Sequence, residues 1–164
     1  MPNLDDKPRP GRLSEEMDKA ARTDPAALMA EGWTLFKPNS FSELVGPFWT
    51  KGEGPDRIFG FVARADHGNG NGTVHGGMLM TFADNSLGNA VAASLRGTYC
   101  ATIQLQLQFT AAARAGDFVI CRPEIIRRSM TLFFMRGLLT VQDKTVASAE
   151  GVWKVLDHKP RGGG

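Results

Sequence analysis

The sequence predicts an α+β domain, in which one antiparallel β-sheet of about six strands wraps around a single long helix. Three observations carry this. Only one run, from about residue 76 to 95, keeps apolar character over a long helical length. Strand-like runs stand on both sides of it. The breaks between the later strands ("AARAG", "RRSM" and "QDK") are too short for crossover helices and fit antiparallel neighbours. A helix of about 20 residues is ~30 Å long, a span that strands of about nine residues match.

The elements follow in order. Residues 1–40 read as an N-terminal arm with short helices, and residues 41–164 as a single domain. The first twelve residues are polar and Pro-rich, and Ser14–Arg22 reads as a short solvated helix. Asp24-Pro25 is a stronger start signal, with Asp as N-cap, Pro at the first helical position and Gly32 as the stop. "ELVGPFWTKG" and "RIFGFVARA" read as two strands joined by the turn-rich "GEGPD". After the Gly/Asn loop 68–73 comes the helix, whose apolar residues lie on all sides and imply burial. Then "CATIQLQLQFT" alternates with period two. Ile103, Leu105, Leu107 and Phe109 share one face, while Thr102, Gln104, Gln106 and Gln108 share the other. "DFVICRPEII", "TLFFMRGLLTV" and "TVASAEGVWKVL" complete the strands.

Composition narrows the function. The 164 residues carry 42% hydrophobic and 22% charged side chains, a globular balance with room for one sizeable core. A net charge of +2, with "IIRRS" at 125–129 as the densest basic spot, argues against nucleic acid as a partner. Cys100 and Cys121 have no metal spacing, and the three histidines form neither HxxxH nor HExxH, so no metal site is expected. The N-terminal stretch lacks the apolar core of a secretory signal, and Asp84, two asparagines and a glycine interrupt the apolar helix. A cytoplasmic protein without a membrane span is therefore expected.

Asp84 is the residue that needs an explanation. An ionised carboxylate amid apolar side chains costs several kcal/mol unless it is paired, hydrogen-bonded or facing water. "VHGG" at 74–77 lies where the helix begins, where first-turn N–H groups have no intrahelical acceptor. Glycine at 76 and 77 leaves room for a carbonyl oxygen to approach, the arrangement of an oxyanion hole. His75 is expected to orient that loop or line a pocket. No GxSxG or paired cysteine offers a different nucleophile. Gly76 and Asp84 are eight residues apart, about 12 Å along the helix. They can meet one carbonyl only if one comes from a second subunit.

The stretch "NGNGTVHGGMLMTFADNSLG" resembles the signature of hotdog-fold acyl-CoA thioesterases, in particular the phenylacetate-pathway (PaaI-type) branch. It has Asn, then Gly three residues on, then HGG, then an acid nine residues after the His. The resemblance covers residues 41–156 and implies the hotdog fold. It further implies that Gly76 supplies the oxyanion-hole N–H and that Asp84 is nucleophile or general base. It also implies that Asn69 helps to position the water or the carbonyl, and that Thr102 stands near the acid. Gly77 and His75 belong to the motif. Arg127, Arg128 and Ser129 fall where such proteins contact coenzyme A.

The expected reaction is hydrolysis of an acyl-CoA to a carboxylic acid and free CoA, with no cofactor beyond the CoA carried by the substrate. Met78, Phe82, Leu87 and aromatics of "FWT" are expected to wall the acyl pocket. The expected partner is an identical chain, as a homodimer required for the site; back-to-back packing through the Gln face would make a homotetramer. Two rivals stand beside this reading. A hotdog hydratase would want a histidine a turn from Asp84, which is lacking, and a non-catalytic acyl-CoA-binding or sensing module would keep HGG without turnover.

Overall fold

The computed structural model describes residues 24–36, 41–95 and 99–156. The expected helix Ser14–Arg22 lies outside the described residues. Helix α1 (Pro25–Ala30) starts as its sequence predicts: Asp24 accepts a hydrogen bond from the Ala26 N–H, and Pro25 occupies the first turn. Gly32 follows with φ +87°, a conformation glycine adopts without strain.

Strand β1 (Thr34–Phe36) comes next, then helix α2 (Phe41–Val45), β2 (Phe48–Lys51) and β3 (Ile58–Val62). The expected first strand, "ELVGPFWTKG", is thus divided. Its beginning is the end of α2 and only its later part is strand. Pro47 explains the break, since a residue before proline is pushed out of the α region and proline cannot donate to a strand ladder. The long helix α3 (Gly76–Ser94) is followed by β4 (Cys100–Phe109), β5 (Phe118–Arg128), β6 (Leu132–Val141) and β7 (Lys144–Val155). No helix among the described residues is long and apolar enough to cross a membrane.

All seven strands join one antiparallel sheet in the order β1-β2-β3-β5-β6-β7-β4. The strand beyond the expected six is β1, which falls inside the stretch read as arm. One face of the sheet packs on α3 through a core that includes Phe61, Phe82, Leu87, Val91, Met135 and Trp153. The other face carries a smaller cluster. There Leu28 and Trp33, from the α1 region, cover Trp49 with Ile58, Val62, Phe118 and Ile120. The Trp33 and Phe118 rings meet edge to face at 4.9 Å.

Helix α3 is not apolar-enclosed on all sides within one chain. Its buried stripe is Met78, Leu79, Phe82, Ala83, Ser86, Leu87, Ala90 and Val91. Gly77 and Met80 are exposed, and Thr81, Asp84, Asn85, Gly88 and Asn89 are half-buried. The sheet therefore covers one side of the helix and leaves the side bearing Asp84 open.

Strand β4 corrects a second expectation. Its register against β7 shifts between Thr102 and Gln104, leaving Ile103 as a bulge. One extra residue reverses the facing of everything before it. Thr102 and Cys100 accordingly lie on the same, helix-facing side as Leu105 and Leu107, while Ile103 is 58% exposed.

Candidate active site

The loop before α3 is held by its own hydrogen bonds. The Asn69 side-chain oxygen accepts from the N–H of Asn71 at 2.9 Å and of Thr73 at 3.3 Å. Its amide nitrogen donates to the Thr73 hydroxyl at 3.0 Å, and its backbone N–H to the Thr73 carbonyl at 2.8 Å. Asn69 thus builds the turn, a use that asparagine's short amide suits. The loop is anchored to the short 3-10 turn Ala65–His67, where the His67 carbonyl accepts the His75 N–H at 2.8 Å. The His67 ring lies beneath it, buried, its Nδ1 accepting the Arg64 N–H at 3.2 Å. Arg64 in turn donates to the Gly46 carbonyl and pairs with Asp66. Burial, reinforced by the Arg64 charge and partly offset by Asp66, pushes the His67 pKa below its usual value.

At the mouth of α3, His75 is the N-cap, and its Nδ1 accepts the Gly77 N–H at 2.8 Å. That bond uses the Gly77 donor. The Gly76 N–H finds no acceptor among the described residues, as the first-turn position dictates. A Cβ at position 76 would lie 3.1 Å from the Phe109 ring of β4, so the glycine lets strand and helix mouth approach each other.

Two turns further along, the Thr102 hydroxyl donates to Asp84 Oδ1 at 2.6 Å. The β4 bulge makes this contact possible, because without it Thr102 would face away from the helix. Asp84 Oδ2 has no partner among the described residues. Both residues line an open pocket of about 390 Å³ that runs along the helix past Gly88, Asn89 and Ala92, with Cys100, Tyr99 and Trp153 opposite. Trp153 is the cross-strand partner of Thr102. Burial and then the nearby Asp84 charge raise the Cys100 pKa, so its thiol is a poor nucleophile here. Cys121, fully buried in the core, is pushed up to about 12.

The structure brings Asp84 and Thr102 together and keeps Gly76 and Asp84 apart on one chain. Met78, Phe82 and Leu87, expected in the acyl pocket, are core residues turned toward the sheet. Phe82 alone of these also borders a tight crevice, lined by Phe36, Phe48 and Phe59 together with Asn85, Ser86 and Asn89. Of "FWT", Phe48 faces the helix and Trp49 the outer cluster. Arg127, Arg128 and Ser129 end β5 and begin its hairpin. Ser129 Oγ accepts the Leu132 N–H at 2.9 Å, and the Arg128 guanidinium stacks 5.1 Å over the Phe133 ring. Arg128, Phe133, Trp153 and Thr102 occupy one row across four strands, so Arg128 is about 14 Å from Thr102. The pocket residues that sequence reasoning passed over are Gly88, Asn89, Tyr99, Cys100 and Trp153. The four-residue spacing of Asp84, Gly88 and Ala92 was their one legible sign, a stripe of small residues beside the acid.

This fold and site define a class. A model of the thioesterase superfamily matches residues 71–148, which span the HGG motif, α3 and most of the sheet. A Pseudomonas aeruginosa protein, named provisionally as an esterase, is 33% identical over 122 residues, covering 73% of this chain and 90% of that one. The chain belongs to the thioesterase superfamily. Human acyl-coenzyme A thioesterase 13 is 22% identical over 107 residues, covering 65% of this chain and 76% of the human one. The solved PaaI protein from the phenylacetic acid degradation operon of E. coli superposes with a TM-score of 0.60 at 17% identity. It covers 89% of this chain and 92% of its own, and so supports the hotdog fold.

Proposed function

We propose that the protein is an acyl-CoA thioesterase whose active site is shared between two copies of the chain. The observation that carries this reading is the Thr102–Asp84 hydrogen bond at 2.6 Å beside an open pocket. Thr102 holds one carboxylate oxygen and leaves the other free to act. Asp84 takes a proton from water that attacks the thioester carbonyl, or attacks it directly to form a mixed anhydride that water then opens. Both routes convert RCO–SCoA and water into RCOOH and CoASH, and both place negative charge on the carbonyl oxygen. The Gly76 N–H of the partner subunit, at the positive end of its helix, receives that charge. Asn69 shapes the loop that presents it. No cofactor enters beyond the CoA of the substrate, for whose pantetheine or phosphates Arg127, Arg128 and Ser129 are the candidates.

The shared site dictates a register. Two antiparallel copies of α3 bring Gly76 against Asp84 of the partner only if the two-fold axis passes residue 80, their midpoint. Met80 stands there, 38% exposed. On β4, Phe109 lies against Gly76 and Thr102 against Asp84, so the same axis crosses near Leu105. Strand β4 is an edge of the sheet with one strand neighbour among the described residues, which leaves its outer backbone groups for the partner's β4. Gln104, Gln106 and Gln108, exposed on the outer face, suit a further back-to-back contact that makes a homotetramer. The reducing cytoplasm, where acyl-CoA esters are made, suits the free Cys100 and Cys121.

The test is thiol release from short, medium, long and aryl acyl-CoAs, for wild type and Asp84→Ala, with light scattering to confirm intact oligomers. Hydrolysis that falls at least about a hundredfold in the variant is the expected result. A panel that binds without turnover makes the chain an acyl-CoA-binding module and Asp84 a structural acid.

A further inference from the structure

The pocket beside Asp84 has a polar group the hydrolytic chemistry does not use. Trp153 is 1% exposed, yet its indole N–H has no hydrogen-bond partner among the described residues. That nitrogen is not sealed in the core as the Trp49 indole nitrogen is, so it is open to a molecule in the pocket that Trp153 lines. Several other donors around the pocket are engaged, the exposed Tyr99 hydroxyl being an exception. Asn85 donates to the Thr81 carbonyl, Asn89 to the Asn85 carbonyl, Thr102 to Asp84 and Cys100 to the Gly88 carbonyl.

Gly88 leaves the indole nitrogen uncovered. A Cβ at position 88 would sit 3.1 Å from Trp153 Nε1, between that N–H and the helix side of the pocket. Gly88 is one turn beyond Asp84 on the same stripe, about 6 Å along the helix. Apart from Asp84, the described residues that line this pocket are uncharged, a lining that suits the acyl end of the thioester.

We propose that the Trp153 indole N–H, uncovered by Gly88, donates a hydrogen bond to an oxygen on the acyl group, and that the substrates are acyl-CoAs oxygenated about 5–6 Å from the thioester carbon. This rests on the thioesterase reading and adds the substrate class. A site built to hydrogen-bond a substrate oxygen discriminates strongly against an analogue without it, because the site's own donor is then left unpaired.

The experiment compares kcat/KM for 5-oxohexanoyl-CoA and hexanoyl-CoA, a pair that differs only in the C5 carbonyl. Wild type is expected to favour the oxygenated ester by at least about tenfold. In Trp153→Phe the ratio should fall to within about twofold of one. Gly88→Ala, which covers the N–H with a methyl while keeping the ring, should lower it in the same direction. A ratio cancels any general loss of folded enzyme, and Gly88→Ala supplies the answer if Trp153→Phe does not fold. A wild-type ratio near one overturns the proposal, as does a ratio that both variants leave intact. If other acyl-CoAs are hydrolysed but neither member of this pair is, the proposal also falls while the thioesterase reading stands. No hydrolysis of any ester defeats the thioesterase reading itself.

Discussion

Asp84 is held by one hydroxyl, and that hydroxyl is testable apart from the acid. Thr102→Val keeps the β-branched shape and removes the donor to Oδ1. We expect kcat to fall about tenfold with KM little changed, and Thr102→Ser to restore most of it, as steady-state kinetics will show. His67 makes a prediction of the opposite kind, about stability. Burial lowers its native pKa, so the unfolded chain binds this proton more readily. The stabilisation from neutral His67 is full above the unfolded value of about 6.5 and is lost as pH falls through the native value. Thermal melts from pH 8 to 5 should show a declining Tm, and His67→Gln should flatten that part of the curve. The groups that face His67 are Arg64 and Asp66, so the slope in Asp66→Asn reports the part that the aspartate offsets.

At the scale of elements, two glycines let Trp153 lie where it does. A Cβ at Gly151 would fall 2.5 Å from the Gln104 carbonyl and 2.7 Å from the Trp153 ring. Gly151→Ala is therefore expected to lose at least about 1–3 kcal/mol in denaturant unfolding, since backbone as well as ring must give way. The same region shows where sequence reading stops. The helix and the four later strands were legible because their periods are long and clear. The β4 bulge was not: "CATIQLQLQF" alternates without a break, and nothing local marks Ile103 as the extra residue. It follows from pairing with β7, a long-range constraint. That is why Thr102 was assigned to the polar face by alternation even though the family pattern placed it by the acid. The α2 turn was hidden for a different reason. Five residues are too few for a helical period to show, and the apolar "FWT" that follows draws them into a strand reading.

At the scale of the molecule, the proposed shared site would make activity a property of pairs. Gly76→Pro removes the donor N–H at a first-turn position where proline is tolerated, while Asp84→Ala removes the carboxylate. Each homodimer should be at least about a hundredfold down. Mixed after reversible dissociation, the two should recover about a quarter of wild-type activity, since half the dimers are mixed and each mixed dimer has one intact site. Equal inactivity before and after mixing would place both groups in one subunit's site. Met80→Arg, which puts two like charges beside the axis, should shift the protein to monomer by light scattering and lose turnover in parallel. The sequence singles out Asp84 and Gly76 as candidates because their spacing and motif are local. The pocket wall could not, because Trp153 reaches it from a strand nearly 70 residues away.

The edge strand that offers itself to a partner has a further consequence. From Cys100 to Phe109 it has neither proline nor a charged side chain, the usual guards against unwanted sheet growth, and from Ile103 to Phe109 it alternates glutamine with isoleucine, leucine and phenylalanine. Separated subunits therefore expose a segment with the composition of an aggregation nucleus. In the proposed dimer, pairing would be a form of quality control as well as assembly: a chain that finds its mate would hide the hazard, and one that does not would be drawn toward insoluble deposits. Loss of this protein on heating at high concentration is expected to be irreversible for that reason, and Gln106→Lys on β4 is the substitution that should keep the separated chains in solution.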